Sequence, residues 1–145
     1  MNEKHFISFL NSNIGNCKNF LWREALWLPR WKIFVLPDEE VAKNIIEIAT
    51  KLQIIRDIFS RPIQVTSWFR PPEYNVLIGG ASRSAHMAGK AVDFVVRGIP
   101  SEDVRNQILA LGLLEKHDLR MEDLPNASWV HIDNNPVINN RFFKP

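Results

Sequence analysis

The sequence from position 84 to position 94 reads Ser84-Ala85-His86-Met87-Ala88-Gly89-Lys90-Ala91-Val92-Asp93-Phe94. Gly89 permits a tight turn after His86, and the apolar, β-branched run from Ala91 to Val96 predicts a strand with Asp93 inside it. A carboxylate in such a strand must be paired, and a metal ion is a strong partner. Because imidazole nitrogen and carboxylate oxygen both bind zinc at about 2.0 to 2.2 Å, we expect His86 and Asp93 to be zinc ligands.

A third ligand is predicted in the segment Trp129-Val130-His131-Ile132-Asp133. Strand alternation sends His131 to one face together with Trp129 and Asp133, while Val130 and Ile132 face the core. A single histidine is more often a hydrogen-bonded structural residue than a metal ligand. Two histidines together with Asp93 and the glycine turn instead favour metal binding. Three protein ligands with one open position indicate a catalytic zinc site, with one zinc ion per chain.

The remaining periodicities predict the elements around this site. Apolar residues at three- and four-residue steps predict a long helix from Asp38 to about Phe59, and alternation predicts a strand over 63–69. Ser101 is a predicted N-cap for a helix through about Leu111, and a last strand is expected over 128–133. Strands separated by helices in this way indicate an α+β fold with a small, mainly antiparallel sheet and helices packed on one face.

The first 36 residues are rich in aromatic side chains and are broken by prolines. A separate wall-binding module is the alternative, but the segment is too short for a domain of its own, so we expect short helices that wrap the core. We therefore predict a single domain over 1–145, with an N-terminal wrap over 1–36 and the core over 37–145.

Composition excludes several classes of protein. The chain has 145 residues and a formal net charge of +2, with no basic stripe, so we expect no nucleic-acid partner. It contains one cysteine, Cys17, which cannot form an internal disulfide. No apolar run approaches the roughly 20 residues of a membrane span, and the first residues lack the layout of a signal peptide. We expect a soluble monomer, made in the cytoplasm, that does not insert into membranes.

The quoted segments also carry a family resemblance. Together with Ser67-Trp68-Phe69-Arg70-Pro71, Tyr74-Asn75 and Ile78-Gly79-Gly80, they resemble the D-alanyl-D-alanine carboxypeptidase and L-alanyl-D-glutamate endopeptidase family. That family shares its zinc fold with the Hedgehog signalling domain, and the resemblance extends from Pro62 to Asp133. It implies that His86, Asp93 and His131 bind zinc and that the substrates are peptidoglycan stem peptides. Many members of the family are phage endolysins.

Three further residues are predicted to bind or position the substrate. Arg70 lies at a strand end before a proline, where a guanidinium can hold a substrate carboxylate through two hydrogen bonds, as the resemblance also implies. Ser84 is expected to orient His86 or a neighbouring backbone group. We also place Ser84 and Trp129 among the residues that bind substrate.

The general base departs from the family pattern. Many relatives place an acid or a histidine two or three residues before the last zinc ligand, where this chain has Ser128 and Trp129. Glu122 and Asp123 lie just upstream, and alternation in Leu119-Arg120-Met121-Glu122 predicts a short strand that turns Glu122 away from the apolar side chains. We predict Glu122 as the base, with Asp123 as the alternative and His117 as a weaker candidate.

The sequence thus predicts a zinc metallopeptidase that hydrolyses an amide bond in peptidoglycan stems or cross-links, as a carboxypeptidase or an endopeptidase. The alternative is a catalytically weak or inactive zinc-containing module that binds the cell wall. Release of a phage lysin to the wall is the first expected setting, and recycling of cytoplasmic muropeptides is the second.

Overall fold

The computed structural model describes residues 1–145. It contains six α-helices, one 3-10 helix over Ala85–Ala88, and seven strands. The helices are α1 (Glu3–Leu10), α2 (Trp22–Leu26), α3 (Glu39–Phe59), α4 (Pro72–Leu77), α5 (Ser101–Ala110) and α6 (Leu113–Lys116). The strands are β1 (Trp27–Leu28), β2 (Ile33–Phe34), β3 (Ile63–Ser67), β4 (Ala91–Val96), β5 (Arg120–Glu122), β6 (Val130–Asp133) and β7 (Phe142–Phe143).

Five of the strands form one sheet in the order β3-β4-β6-β5-β7, and β1 and β2 form a separate antiparallel pair. Within the larger sheet β3, β4, β6 and β5 are antiparallel to their neighbours, whereas β7 is parallel to β5. The predicted α+β fold with a mainly antiparallel sheet is confirmed. The parallel strand β7 was not predicted from the sequence, because two residues are too few to show an alternating pattern.

The two faces of this sheet have different characters. Side chains at alternate positions, including Val92, Phe94 and Ile132, are fully buried in the hydrophobic core, which also contains apolar residues of α3 and α5. The intervening positions carry polar groups, among them Asp93 and His131. The period of two in each strand therefore separates the core from the site.

Helix α3 matches the predicted long helix closely. The Asp38 side chain accepts a hydrogen bond from the backbone N–H of Val41 at 2.8 Å and caps the N-terminus. The apolar residues at three- and four-residue steps include Ile45, Ile48, Leu52 and Ile55, which are fully buried, and Val41, which is partly buried. Helix α5 differs in one detail, because Ser101 is its first residue and Pro100 holds the cap position without a side-chain bond.

The aromatic-rich N-terminal segment folds as α1, α2 and the β1–β2 pair. Its apolar residues, including Leu10, Ile14, Phe20 and Leu26, belong to the same 26-residue cluster as the core of the sheet. None of the helices combines the length and the apolar composition that a membrane span requires.

Gly89 closes the turn between the 3-10 helix and β4. Its φ of +73° lies in the left-handed region, and a Cβ atom there would stand 3.0 Å from Ile45 and 3.1 Å from the backbone oxygen of Val41. Two features therefore require glycine at this position: the left-handed backbone conformation and the close approach of α3.

We expect Gly89→Ala to lower the free energy of unfolding by more than the matched change Gly79→Ala. Both residues have a φ of +73°, but a Cβ at Gly79 would have no atom within 4 Å. Backbone strain of about 1 to 2 kcal/mol is common to both variants, so the difference measures the contact with α3. Urea unfolding of the two variants tests this, and equal losses would show that the contact with α3 is unimportant.

Candidate metal centre

Three predicted ligands meet on the polar face of the sheet. His86 lies on the 3-10 helix, Asp93 on β4 and His131 on β6. Asp93 and His131 are direct partners in the antiparallel ladder, and the Gly89 turn returns the chain so that His86 reaches the same place. One ligand atom from each residue lies within 4.8 Å of the others, and all three residues are buried.

The ring of His86 is oriented by a backbone carbonyl. Its Nδ1 lies 2.6 Å from the oxygen of Trp68, and its Nε2 lies 3.2 Å from Asp93 Oδ1. Nδ1–H therefore donates to the carbonyl, and the Nε2 lone pair faces the other ligands. The Ser84 hydroxyl accepts a hydrogen bond from the backbone N–H of His86 at 3.2 Å, so Ser84 contacts the backbone and not the ring.

The ring of His131 is oriented by a carboxylate. Its Nδ1 lies 2.8 Å from Asp93 Oδ1, and its Nε2 lies 2.8 Å from Asp133 Oδ2. Asp133 is in turn held by the Arg120 guanidinium, with Nε donating to Oδ1 at 2.7 Å and Nη2 to Oδ2 at 3.1 Å. The arrangement directs Nδ1 of His131 to the same point as Nε2 of His86.

This donor set fits zinc. Two imidazole nitrogens and one carboxylate oxygen converge, and the second nitrogen of each ring already donates to a protein oxygen, as is usual for histidine ligands of a metal. Three protein ligands leave a fourth tetrahedral position for water or substrate.

The charges of the metal-free cluster are strongly coupled. Burial raises the pKa of Asp93, but interactions with His131 and His86 outweigh it and hold that pKa well below its usual range. Burial lowers the pKa of His131, but hydrogen bonds to Asp133 and Asp93 outweigh it and raise that pKa to about 9. In the metal-free protein at neutral pH, a proton on His131 therefore occupies part of the place that zinc would take.

Glu122 is the predicted base that lies beside these ligands. In the register that pairs Arg120 with Asp133 and Met121 with Ile132, Glu122 comes opposite His131, and its Oε1 is 3.5 Å from Nδ1 of that ring. Burial is the largest influence on the Glu122 carboxyl and raises its pKa.

The two other candidate bases lie elsewhere. Asp123 lines a surface cleft together with Phe142 and Lys144. His117 follows the last residue of α6 and is outside the ligand cluster. The geometry thus favours Glu122 among the three.

Arg70 adjoins the cluster from the β3 side. Its Nη2 lies 3.5 Å from Asp93 Oδ2, while Nε donates to the Ser67 hydroxyl at 3.0 Å and Nη1 to Asn75 Oδ1 at 3.4 Å. Burial lowers the pKa of Arg70, and the charge of Asp93 opposes this effect. The guanidinium is held in place with N–H groups to spare for another acceptor.

The segment that leads into His131 is fixed by a buried arginine that the sequence did not indicate. The Arg105 side chain donates to the carbonyl oxygens of Pro125, Ala127 and Trp129. Arg105 is only 3% exposed, whereas Trp129 is 38% exposed. The hydrogen bond from Arg105 thus fixes the backbone of Trp129. The role of the Trp129 ring as a substrate contact stays a prediction.

The fold and the donor set together fit a zinc-dependent peptidase. A comparison with protein-family models agrees, because the model described as Peptidase M15 matches residues 32–133. The chain belongs to the peptidase M15 family, whose members are zinc-dependent, and its His86, Asp93 and His131 cluster can hold the metal. No curated protein matches the chain.

We expect His86→Ala, Asp93→Ala and His131→Ala each to abolish stoichiometric zinc binding, because a three-ligand site has no ligand to spare. His117→Ala is the matched control and should keep about one zinc per chain. Metal analysis after dialysis measures the result. Full zinc occupancy in His131→Ala would contradict the assignment of this ligand.

Zinc binding should also release the proton of His131. Since the pKa of this residue in the metal-free protein is about 9, His131 should contribute about one proton per zinc at pH 7, and the contribution should disappear as the pH rises above that pKa. Calorimetry in two buffers of different ionisation enthalpy counts the protons. Asp133→Asn removes a group that raises the pKa, so it should release fewer protons at pH 8, and equal release would contradict this account.

Proposed function

We propose that the chain is a zinc peptidase that hydrolyses an amide bond in the peptide stems or cross-links of bacterial peptidoglycan, in the manner of an endolysin. One observation carries the proposal: the Glu122 carboxylate lies 3.5 Å from a ligand nitrogen of a buried centre with two histidines and one aspartate. A group that accepts protons, placed beside three metal ligands, is what amide hydrolysis requires.

Each residue has a distinct task in the proposed reaction. When bound, zinc supplies Lewis acidity at the centre. Glu122 Oε1 takes a proton from the water that attacks the scissile carbonyl carbon, and it then gives this proton to the leaving amine nitrogen. Asp133 and the Trp68 carbonyl keep the two histidine rings in place throughout.

Arg70 supports a substrate that carries a carboxylate. Its guanidinium is fixed by Ser67, Asn75 and Asp93 and still has N–H groups for a bidentate contact. The family resemblance implies the same role for the matching arginine, which is to bind a carboxylate of a peptidoglycan stem peptide. The substrate carboxylate would lie against Arg70 while the scissile bond lies between the metal position and Glu122.

The alternative, a zinc-containing module that binds the wall without cleaving it, rests on the absence of a base at Ser128 and Trp129. Glu122 weakens that alternative because it lies opposite His131 on the neighbouring strand. The setting, a phage lysin that reaches the wall or an enzyme of muropeptide recycling, is part of the same proposal.

The proposal is tested by incubating the zinc-loaded protein with purified peptidoglycan and analysing the products by mass spectrometry and amino-terminal sequencing. New amino termini within stems or cross-links would identify an endopeptidase, and release of single carboxy-terminal residues a carboxypeptidase. Protein stripped by a chelator is the control. Binding to the wall without any cleavage would favour the alternative, a zinc-containing module that binds the wall.

For the base, we expect Glu122→Gln to reduce turnover by roughly 100- to 10,000-fold, because the amide cannot accept the proton. Its zinc content should equal that of the parent. The matched control is Asp123→Asn, which removes the neighbouring carboxylate and should retain near-parental turnover. A zinc-loaded Glu122→Gln enzyme with parental turnover would contradict the assignment of Glu122 as the base. A loss of turnover in Asp123→Asn alone would assign the base to Asp123 instead.

For the substrate carboxylate, we expect Arg70→Lys to raise KM by about 10- to 100-fold, because an ammonium group keeps the charge but cannot form the planar two-bond contact. Zinc content should be unchanged. Steady-state kinetics on wall fragments, with the stem carboxylates free or amidated, provide the measurement. If the variant and the parent discriminate equally between the two substrates, Arg70 does not bind the carboxylate.

A further inference from the structure

The C-terminal strand β7 lies beyond the residues that match the family model, which end at 133. It pairs in parallel with β5, the strand that carries Arg120 and Glu122. Two backbone bonds join the segments, from Met121 N–H to the Arg141 oxygen at 2.7 Å and from Asp123 N–H to the Phe143 oxygen at 2.6 Å. The position of β5 is therefore linked to that of β7.

The two aromatic residues of β7 face opposite sides of the sheet. Phe142 packs against the hydrophobic core. The Phe143 ring lies on the polar face, where the Arg120 guanidinium carbon stands 4.0 Å from its centroid. Phe143 also meets the His131 ring edge to face, with centroids 6.3 Å apart and an interplanar angle of 77°.

These contacts form a chain that ends at a metal ligand. The Arg120 guanidinium carbon lies over the Phe143 ring, and the same group donates two hydrogen bonds to Asp133, whose Oδ2 accepts from His131 Nε2. The ring supports the guanidinium from one side, and because a guanidinium is planar with fixed N–H directions, a change in its position also changes its hydrogen bonds to Asp133. Packing of Phe143 thus limits the rotation of the group that sets the orientation of His131.

We propose that Phe143 is a positioning residue of the metal centre, which acts through Arg120 and Asp133 to hold His131 Nδ1 toward the metal. The inference rests on the proposed zinc site but not on the peptidase reaction. It predicts that loss of this ring weakens zinc binding even though Phe143 touches no metal. A ring that merely packs the tail would affect folding stability alone.

Phe143→Leu is the test, and Phe142→Leu is its matched control on the same strand. We expect Phe143→Leu to raise the zinc Kd by about 3- to 10-fold, which is less than the roughly 10- to 100-fold typical of a group that hydrogen-bonds to a ligand, because Phe143 acts through Arg120 and Asp133. Phe142→Leu should lower the thermal midpoint of the zinc-free protein and leave the Kd unchanged. Phe143→Tyr keeps the ring and should restore the parental Kd. Competition with a chelator of known affinity measures all four proteins.

A double-mutant cycle separates the relay from simple packing. In an Arg120→Gln background, Phe143→Leu should change the Kd by less than about twofold, because the contact with the guanidinium is lost and only the long edge contact with His131, at 6.3 Å between centroids, is left. The inference would be overturned if the effects of the two mutations were additive. It would also be overturned if Phe143→Leu left the Kd unchanged, or if Phe143→Tyr bound zinc as weakly as Phe143→Leu. These affinities need no substrate, so they are independent of whether the peptidase reaction is found. A parent that binds no zinc would overturn the metal centre and this inference together.

Discussion

The rest of the structure depends on the burial of one carboxylate. Asp93 lies in the middle of β4 between Val92 and Phe94, both of which are fully buried. An ionised carboxylate in that position is costly unless several donors surround it. His131 and Arg70 lie within 3.5 Å of its oxygens and supply donors, and His86 Nε2 lies 3.2 Å from Oδ1. This requirement explains why β6 pairs with β4 and why the chain turns sharply at Gly89.

The same constraint fixes the strand register. Asp93 pairs with His131 and Phe94 with Val130, so the polar pair faces the site while the apolar pair faces the core. A slip by one residue would carry His131 into the core and expose Val130 and Ile132. Hydrophobic packing and the convergence of the three candidate ligands thus select the same strand register.

This agreement explains what could be predicted from the sequence. Periodic patterns of apolar residues indicated α3, β4 and the strand of Glu122, and the odd placement of Asp93 and His131 among apolar neighbours indicated two of the candidate ligands. The Trp68 carbonyl that orients His86 could not be found, because a backbone oxygen has no signature in the sequence. Arg105 was missed because its acceptors are also carbonyl oxygens, and β7 because two residues are too few to show an alternating pattern.

The location of the candidate base follows from the same geometry. A base near the last ligand can come from the same strand or from a neighbour, because positions directly opposite in an antiparallel pair are as close as positions two apart on one strand. Here the residues three and two positions before His131 are Ser128 and Trp129, which precede β6 and offer no base, and β5 places Glu122 opposite His131 instead. A base on a separate strand depends on the register of that strand. Since β5 is bordered by β7, the C-terminal residues beyond the family match become part of the structure that sets the distance between Glu122 and the ligands.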